Sequence, residues 1–273
     1  MPQSSSRWIA GHYGDEFAEA HGKALVVRDA LGAGIPAAGV GCGFTRAALG
    51  RIEAVRRSHG ETGPFAAECL TEDYELGLLI GELGGRSRFV RARCTNGDLV
   101  ATRELFPSDL GVAVRQKTRW MHGIAFQGWD RLGWRGRPVE RWMRMRDRRG
   151  PLTAIVLFAA YALVLLWGLG LVAKWFGLYH PRPLPVALKA LLWTNFAGFL
   201  WRAAFRFAFT ARAYGPVEGL RALARIPVAN IIAIMAGRRA ISAYLRSLLG
   251  AAVHWEKTTH EHHPAHRTAS ART

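Results

Sequence analysis

The stretch Gln116-Lys117-Thr118-Arg119-Trp120, downstream of Thr71-Glu72-Asp73 and ahead of an uncharged apolar run at residues 152–173, decides how the chain is read. A carboxylate able to accept a proton comes first, then an amide, a guanidinium and an indole, then a segment suited to a bilayer. On a helix Gln116, Arg119 and Trp120 stand at i, i+3 and i+4, so the three share one face. A guanidinium forks phosphate oxygens, and an indole offers a flat apolar surface to a sugar ring. The plainer reading of the pentad is an amphipathic helix with Trp120 in the core and Arg119 in a surface ion pair. Likewise, Glu72 and Asp73 could simply offset the macrodipole of the helix they open. An Asp held there by backbone donors can also point into a cleft as a base.

Around these motifs the local signals predict mixed structure. Thr71 reads as the N-cap of a helix over residues 71–83, with Glu72 and Asp73 in its first turn and Gly84-Gly85 as its stop. Thr45 or a neighbour opens another helix that runs to about residue 57, and Pro107-Ser108 starts the one that carries the pentad to about residue 132. Residues 26–31 are short and β-prone, and residues 86–93 and 99–105 read as a strand pair joined through Asn96-Gly97. Residues 32–43 form a Gly/Ala/Pro loop whose Gly39, Gly41 and Gly43 let backbone pass close to a ligand or another strand.

Composition narrows the partners. The formal net charge is +17, and 32 of the 37 basic residues are Arg. That balance suits nucleic acid, anionic headgroups or sugar diphosphates, all of which present phosphate oxygens. Location decides for the membrane. Eight Arg within residues 131–149 abut the apolar run 152–173, whose 22 residues span ~33 Å, against a hydrocarbon core of about 30 Å. No helix-turn-helix, zinc-finger or RNP-like pattern supports nucleic acid. Cys42, Cys69 and Cys94 are too few and too scattered for a disulfide framework or a metal cluster, which fits a reduced cytosolic face. The first eight residues are polar and lack the apolar core of a signal peptide. The tail from His260 to His266 is His-rich, a composition that in a terminal tract binds metals adventitiously.

A second apolar segment, residues 186–209, is interrupted by Lys189, Arg202 and Arg206. Lys189 and Arg206 can snorkel from near its ends, and Arg202 is expected to face a protein or water-filled interior. Residues 226–236 are apolar but short, which predicts an interfacial or re-entrant segment. Basic flanks before residue 152 and after residue 210 place both on the cytoplasm.

Thr71-Glu72-Asp73 and the pentad resemble the TED and QxxRW motifs of cellulose-synthase-like and hyaluronan-synthase-like family 2 glycosyltransferases. A fuller resemblance is to the bacteriophage N4 adsorption protein B family of inner-membrane glycosyltransferases. It runs from Tyr13-Gly14-Asp15-Glu16-Phe17-Ala18-Glu19 through Ala38-Gly39-Val40-Gly41, Leu70 to Tyr74 and Thr102-Arg103-Glu104. It continues through Phe126-Gln127-Gly128-Trp129, Arg146-Asp147-Arg148 and Trp255 to His260. The resemblance implies that Asp73 is the general base, with Thr71 and Glu72 beside it on the substrate side. Gln116, Arg119 and Trp120 would bind donor diphosphate and acceptor sugar, and Lys257 would approach a phosphate. Complete members of the family carry an Asp-x-Asp motif that holds Mg2+ or Mn2+, and no Asp-x-Asp occurs here.

The expectation is therefore an α/β fold, the C-terminal half of a GT-A domain. Residues 1–150 would form its acceptor side, 151–210 two transmembrane helices, and 211–273 a cytoplasmic or interfacial segment. This chain by itself would bind no metal and no donor. Its partners would be a nucleotide-sugar donor, a glycan acceptor, membrane lipid and a separate N-terminal half, with no nucleic acid. It would sit in a bacterial inner membrane as a multi-pass protein with both termini cytoplasmic. The alternative is a non-catalytic membrane remnant or subunit that binds a partner or anionic lipid.

Overall fold

The computed structural model describes residues 6–66, 68–102, 105–180 and 182–251. Helix α1 (Ile9–Glu19) passes through a π turn (Ala20–Ala24) into α2 (Leu25–Ala30). Then follow α3 (Arg46–Ser58), α4 (Glu72–Glu82), α5 (Leu110–Met121), a π-helical segment (His122–Gln127) and α6 (Gly128–Leu132). The remainder is α7 (Pro138–Arg148), α8 (Gly150–Trp175), α9 (Val186–Tyr214), α10 (Pro216–Ala224) and α11 (Ile226–Leu248).

The expected α/β architecture is not what the described residues adopt, since they hold no strand and only an isolated antiparallel bridge, Arg93 to Leu99. The Asn96-Gly97 turn itself forms: Gly97 takes φ +86°, and the Asn96 side chain accepts from Asp98 N at 3.1 Å. Among the described residues nothing pairs with the outer edges of the two arms, and a hairpin without a third strand is marginal. Of residues 26–31, read as β-prone, 26–30 lie in α2 and Leu31 caps it. There the tertiary partners override the local preference, because Arg28 is drawn inward to the Gly34 carbonyl (2.5 Å) and to Asp147 (2.8 and 3.0 Å).

The helix boundaries follow local chemistry. Thr45 caps α3 by accepting from Ala48 N at 3.2 Å, and Asp109 caps α5 by accepting from Val112 N at 2.9 Å. Gly84, at φ +76°, ends α4, and Gly85 N returns to the Ile80 carbonyl at 2.8 Å. Helix α1 packs against α9 and α11, and α11 runs antiparallel to α8. Asn230 there meets Tyr161 at 3.2 Å, and Gly237 lies so close to Ala154 that a Cβ on it would stand 2.3 Å away. A core forms where Tyr13, Ala113, Val114 and Ile232 meet, drawn from α1, α5 and α11.

Among the described residues two helices are long and apolar enough to cross a membrane, α8 and α11. The first matches the expected run, with Ala154 its one buried residue. The second corrects the reading of residues 226–236 as a short segment: the helix continues through Arg238-Arg239 to Leu248 and is partly buried against α5 and α8. The segment at residues 186–209 does form one helix, α9, but its basic residues keep it from meeting the same criterion. Arg202 is exposed rather than turned inward, and it is Arg206 that reaches Asp15 of α1 at 3.6 Å. Helical phase explains the exchange. Arg206 shares a face with the buried Thr210, one turn on, and α1 covers that face.

Candidate functional site

Asp73 lies in the first turn of α4, half-buried, and its Oδ1 accepts from Tyr74 N at 2.7 Å. The Gly/Ala/Pro loop rests directly on this helix. A Cβ on Gly77 would fall 2.4 Å from Ala37 N and 2.5 Å from the Ile35 carbonyl oxygen, so only glycine permits the approach. The loop then turns through Gly39 (φ +73°), where a Cβ would stand 3.1 Å from Asp73 Oδ2, and Gly41 (φ +65°), beside Thr102. The approach expected toward a ligand or another strand is made instead to the Asp73 side chain of α4, and a Cβ on Gly43 would meet nothing within 4 Å.

Burial raises the Asp73 carboxyl above the ordinary carboxylate range. The Tyr74 amide opposes this, Glu72 adds to it, and the Arg119 guanidinium opposes it. Asp73 and Arg119, far apart in sequence, are therefore within electrostatic reach. Thr71 and Glu72 flank the Asp. Thr71 is buried, and a Cβ on Gly123 of the π-helical segment would clash with its Oγ1 at 2.5 Å. Gln127, at the end of that segment, accepts through Oε1 from Leu70 N at 2.9 Å. Single π turns inside α-helices concentrate at functional sites. This one holds the pentad helix against the loop that leads into Thr71-Glu72-Asp73.

Within the pentad the side chains divide. Gln116 is buried, and its Oε1 has no partner among the described residues. Lys117 pairs with Glu16 of α1 and lies over the Tyr13 ring, 4.9 Å from its centroid. Trp120 is half-buried and edge-on to Tyr13 (5.9 Å) and Phe17 (6.4 Å), which is the docked arrangement the plainer reading of the pentad describes. Lys257 and the His-rich tail lie outside the described residues.

A second layer holds α4 in place. Tyr74 donates its hydroxyl to Asp147 Oδ2 at 3.0 Å, and both oxygens of Asp147 also accept from Nη1 of Arg28. Glu75 is gripped by Arg131 at 2.6 and 2.9 Å, with Arg56 at 3.7 Å. Sequence reasoning assigned no role to Tyr74, Gln127 or Asp147, although all three fall inside the stretches that carry the family resemblance. Arg28 gave no signal at all. A groove of about 730 Å³ opens elsewhere, between residues 29–34, the end of α4 and the start of α7, and it does not reach Asp73. Among the described residues no group of three or more His, Cys, Asp or Glu gathers to hold a metal ion.

The family model of Glycosyl transferase family group 2 matches residues 1–235. The chain is 34% identical over 272 aligned residues to Bacteriophage adsorption protein B of Escherichia coli K12, covering 91% of this chain and 36% of that protein. The same figures hold for Bacteriophage N4 adsorption protein B of Escherichia coli O157:H7. The chain thus spans about a third of the length of these curated relatives. No solved structure matches it.

Proposed function

The chain belongs to glycosyl transferase family group 2, and we propose that it forms the acceptor side of a site that transfers a sugar from a nucleotide sugar to a growing glycan. The observation that carries the reading is the half-buried Asp73 carboxylate at the start of α4, directly beneath Gly39, with the Arg119 guanidinium near enough to lower its proton affinity. Asp73 accepts the proton of the acceptor hydroxyl as the oxygen bonds to the anomeric carbon, and the bond from that carbon to the diphosphate oxygen breaks. The electron pair leaves with the diphosphate, whose added charge Arg119 offsets. The raised affinity of Asp73 for a proton suits a base that must take one from a sugar hydroxyl. Thr71 and Glu72 border the acceptor path, Gln116 presents its amide from the wall, and Trp120 shapes that wall from its docked position. Lys257 is proposed as a further phosphate contact.

The residues present do not fit a divalent cation. With neither an Asp-x-Asp nor an acidic cluster among the described residues, no step is routed through Mg2+ or Mn2+. We place α8 and α9 as the membrane-crossing pair, with the basic residues of α9 reaching headgroups or water; α11, although long and apolar enough to cross, is kept at the interface by its packing on α5, and both termini are cytoplasmic. The basic flanks around the pair support this.

The test is Asp73→Asn with a nucleotide-binding half supplied in cis or in trans, assayed for transfer and for donor binding. Transfer should fall by about 10² to 10⁴ with donor binding largely kept. Turnover at the wild-type rate would remove Asp73 from the chemistry and the reading with it.

A further inference from the structure

We propose that the outward face of α7 is a docking surface for anionic phospholipid headgroups. The eight arginines of residues 131–149 look interchangeable in sequence, but the fold separates them. Arg144 donates to the Leu132 and Gly133 carbonyls at 2.9 and 3.2 Å, and Arg148 donates to the Gly133 and Gly128 carbonyls at 2.8 and 2.5 Å. Arg131 is spent on Glu75 and Glu68. These guanidinium groups hold the protein together and are not offered to a ligand.

The opposite side of α7 carries Arg141, Trp142, Met145 and Arg149, at i, i+1, i+4 and i+8. At about 100° per residue they fall within one arc of roughly 100°. All four are exposed, and Trp142 and Met145 leave 55% and 45% of their surface uncovered. Arg141 stays exposed although its Nε donates to the Gly136 carbonyl at 3.1 Å. An indole and a thioether flanked by guanidinium groups match a bilayer's headgroup level, where apolar bodies reach inward and charged tips meet phosphate. Nucleic acid offers the phosphate but gives the Met145 side chain no apolar layer to enter.

Continuity fixes the occupant. No loop separates α7 from α8: Arg149 closes one helix and opens the other in helical conformation, and its carbonyl accepts from Thr153 N at 2.9 Å. Where α8 enters hydrocarbon, this face therefore lies within a turn or two of the entry point. The net charge of +17 draws the acidic lipids of a mixed membrane toward it. The proposal rests on α8 crossing a bilayer.

The experiment uses the full chain reconstituted in bilayers of phosphatidylcholine with and without phosphatidylglycerol. Tryptophan fluorescence is quenched with lipids brominated near the headgroup or with aqueous acrylamide, and wild type is compared with Trp142→Phe. Retention of phosphatidylglycerol is measured by native mass spectrometry for wild type, Arg141→Gln and Arg149→Gln, with circular dichroism to check the fold. A share of the bromolipid quenching that is lost in Trp142→Phe, against the background of the Trp residues of α8 and α9, and phosphatidylglycerol retention weakened about fivefold per arginine, are expected. Quenching of Trp142 by acrylamide alone would make the face water-facing and overturn the proposal while leaving the membrane reading intact. Shielding of Trp142 from both quenchers would mean that protein, such as a second copy, covers it, and would overturn the proposal in the same way. Release of the chain by alkaline carbonate would overturn both.

Discussion

Asp15 and Arg225 stand 210 positions apart and form a two-pronged ion pair, 2.6 and 2.8 Å, with both side chains almost wholly excluded from solvent. The pair ties α1 to the junction of α10 and α11, and Glu218 reaches the same guanidinium at 3.0 Å. A charge buried this way is tolerable only while its partner stays. Arg225→Met should therefore cost about 3–5 kcal/mol by stranding the Asp15 carboxylate. The double variant Arg225→Met/Asp15→Leu should lose much less. Thermal unfolding of the detergent-solubilised protein measures both, and equal melting temperatures for single variant and wild type would contradict the structure here.

Gly77 and Gly81 both lie in α4 facing the Gly/Ala/Pro loop, yet they should respond oppositely to alanine. At Gly77 the new Cβ meets backbone at 2.4 and 2.5 Å, which neither side can relieve by a rotamer change. Gly77→Ala should cost on the order of 1–3 kcal/mol and push the loop off Asp73. At Gly81 the nearest atom is 3.6 Å away. Gly81→Ala should be neutral or gain up to about 1 kcal/mol from helix propensity. Unfolding curves for the two variants decide the matter.

Asp73→Asn should stabilise the fold at neutral pH while it removes transfer. Burial raises the carboxyl's folded-state pKa, so the native protein binds this proton more tightly than the unfolded chain does. Stability from this group is present at low pH and falls as pH rises from the ordinary carboxylate range through the raised value. The amide escapes that loss. The variant's advantage in melting temperature should be visible at pH 7 and vanish in acid, and an advantage independent of pH would refute the cause given.

His12 gives the opposite sign. It is fully buried beside Tyr13, and burial depresses its pKa from 6.5 to about 4; Glu16 opposes the shift, while Lys117 and Arg206 add to it. The native state holds the neutral ring, so its contribution is complete above pH 6.5 and is lost as pH falls toward 4. Wild type should lose about 3 kcal/mol more across that window than His12→Asn, at roughly 1.4 kcal/mol per pH unit. Denaturant unfolding at several pH values measures the difference in slope.

With a nucleotide-binding half supplied in cis or in trans, Arg119→Ala should weaken donor binding about 10- to 100-fold, because a charged donor to a diphosphate contributes about 1.5–3 kcal/mol. Arg119→Lys should recover only part, since an ammonium cannot fork two oxygens. Titration calorimetry with nucleotide sugars gives the constants, and unchanged affinity in Arg119→Ala would detach the pentad from the donor.

The neighbourhood of Asp73 was legible as two motifs but not as a geometry. Residue types placed a carboxylate at a helix start and a guanidinium on a helix face. They did not show that a π turn brings Gly123 against Thr71 and Gln127 to Leu70. Nor did they show that Trp120 packs edge-on to Tyr13 and Phe17. The strand pair misled because the Asn96-Gly97 signal marks a reversal of the chain without saying whether a further strand exists to receive the two arms.

By itself the sequence determined whatever depends on a few adjacent residues. The caps at Thr45, the stop at Gly84, the helix through the pentad and the long apolar run that became α8 are all of this kind, because capping bonds and helical periodicity are completed within a turn or two of chain. Only the tertiary structure decided which arginines hold the fold and which face outward, why residues 25–30 are helical, and that Arg206 rather than Arg202 turns toward Asp15. Those outcomes depend on partners far away in the chain. A buried guanidinium is stable only where a carboxylate or carbonyl from another element already waits for it, and no local pattern records that.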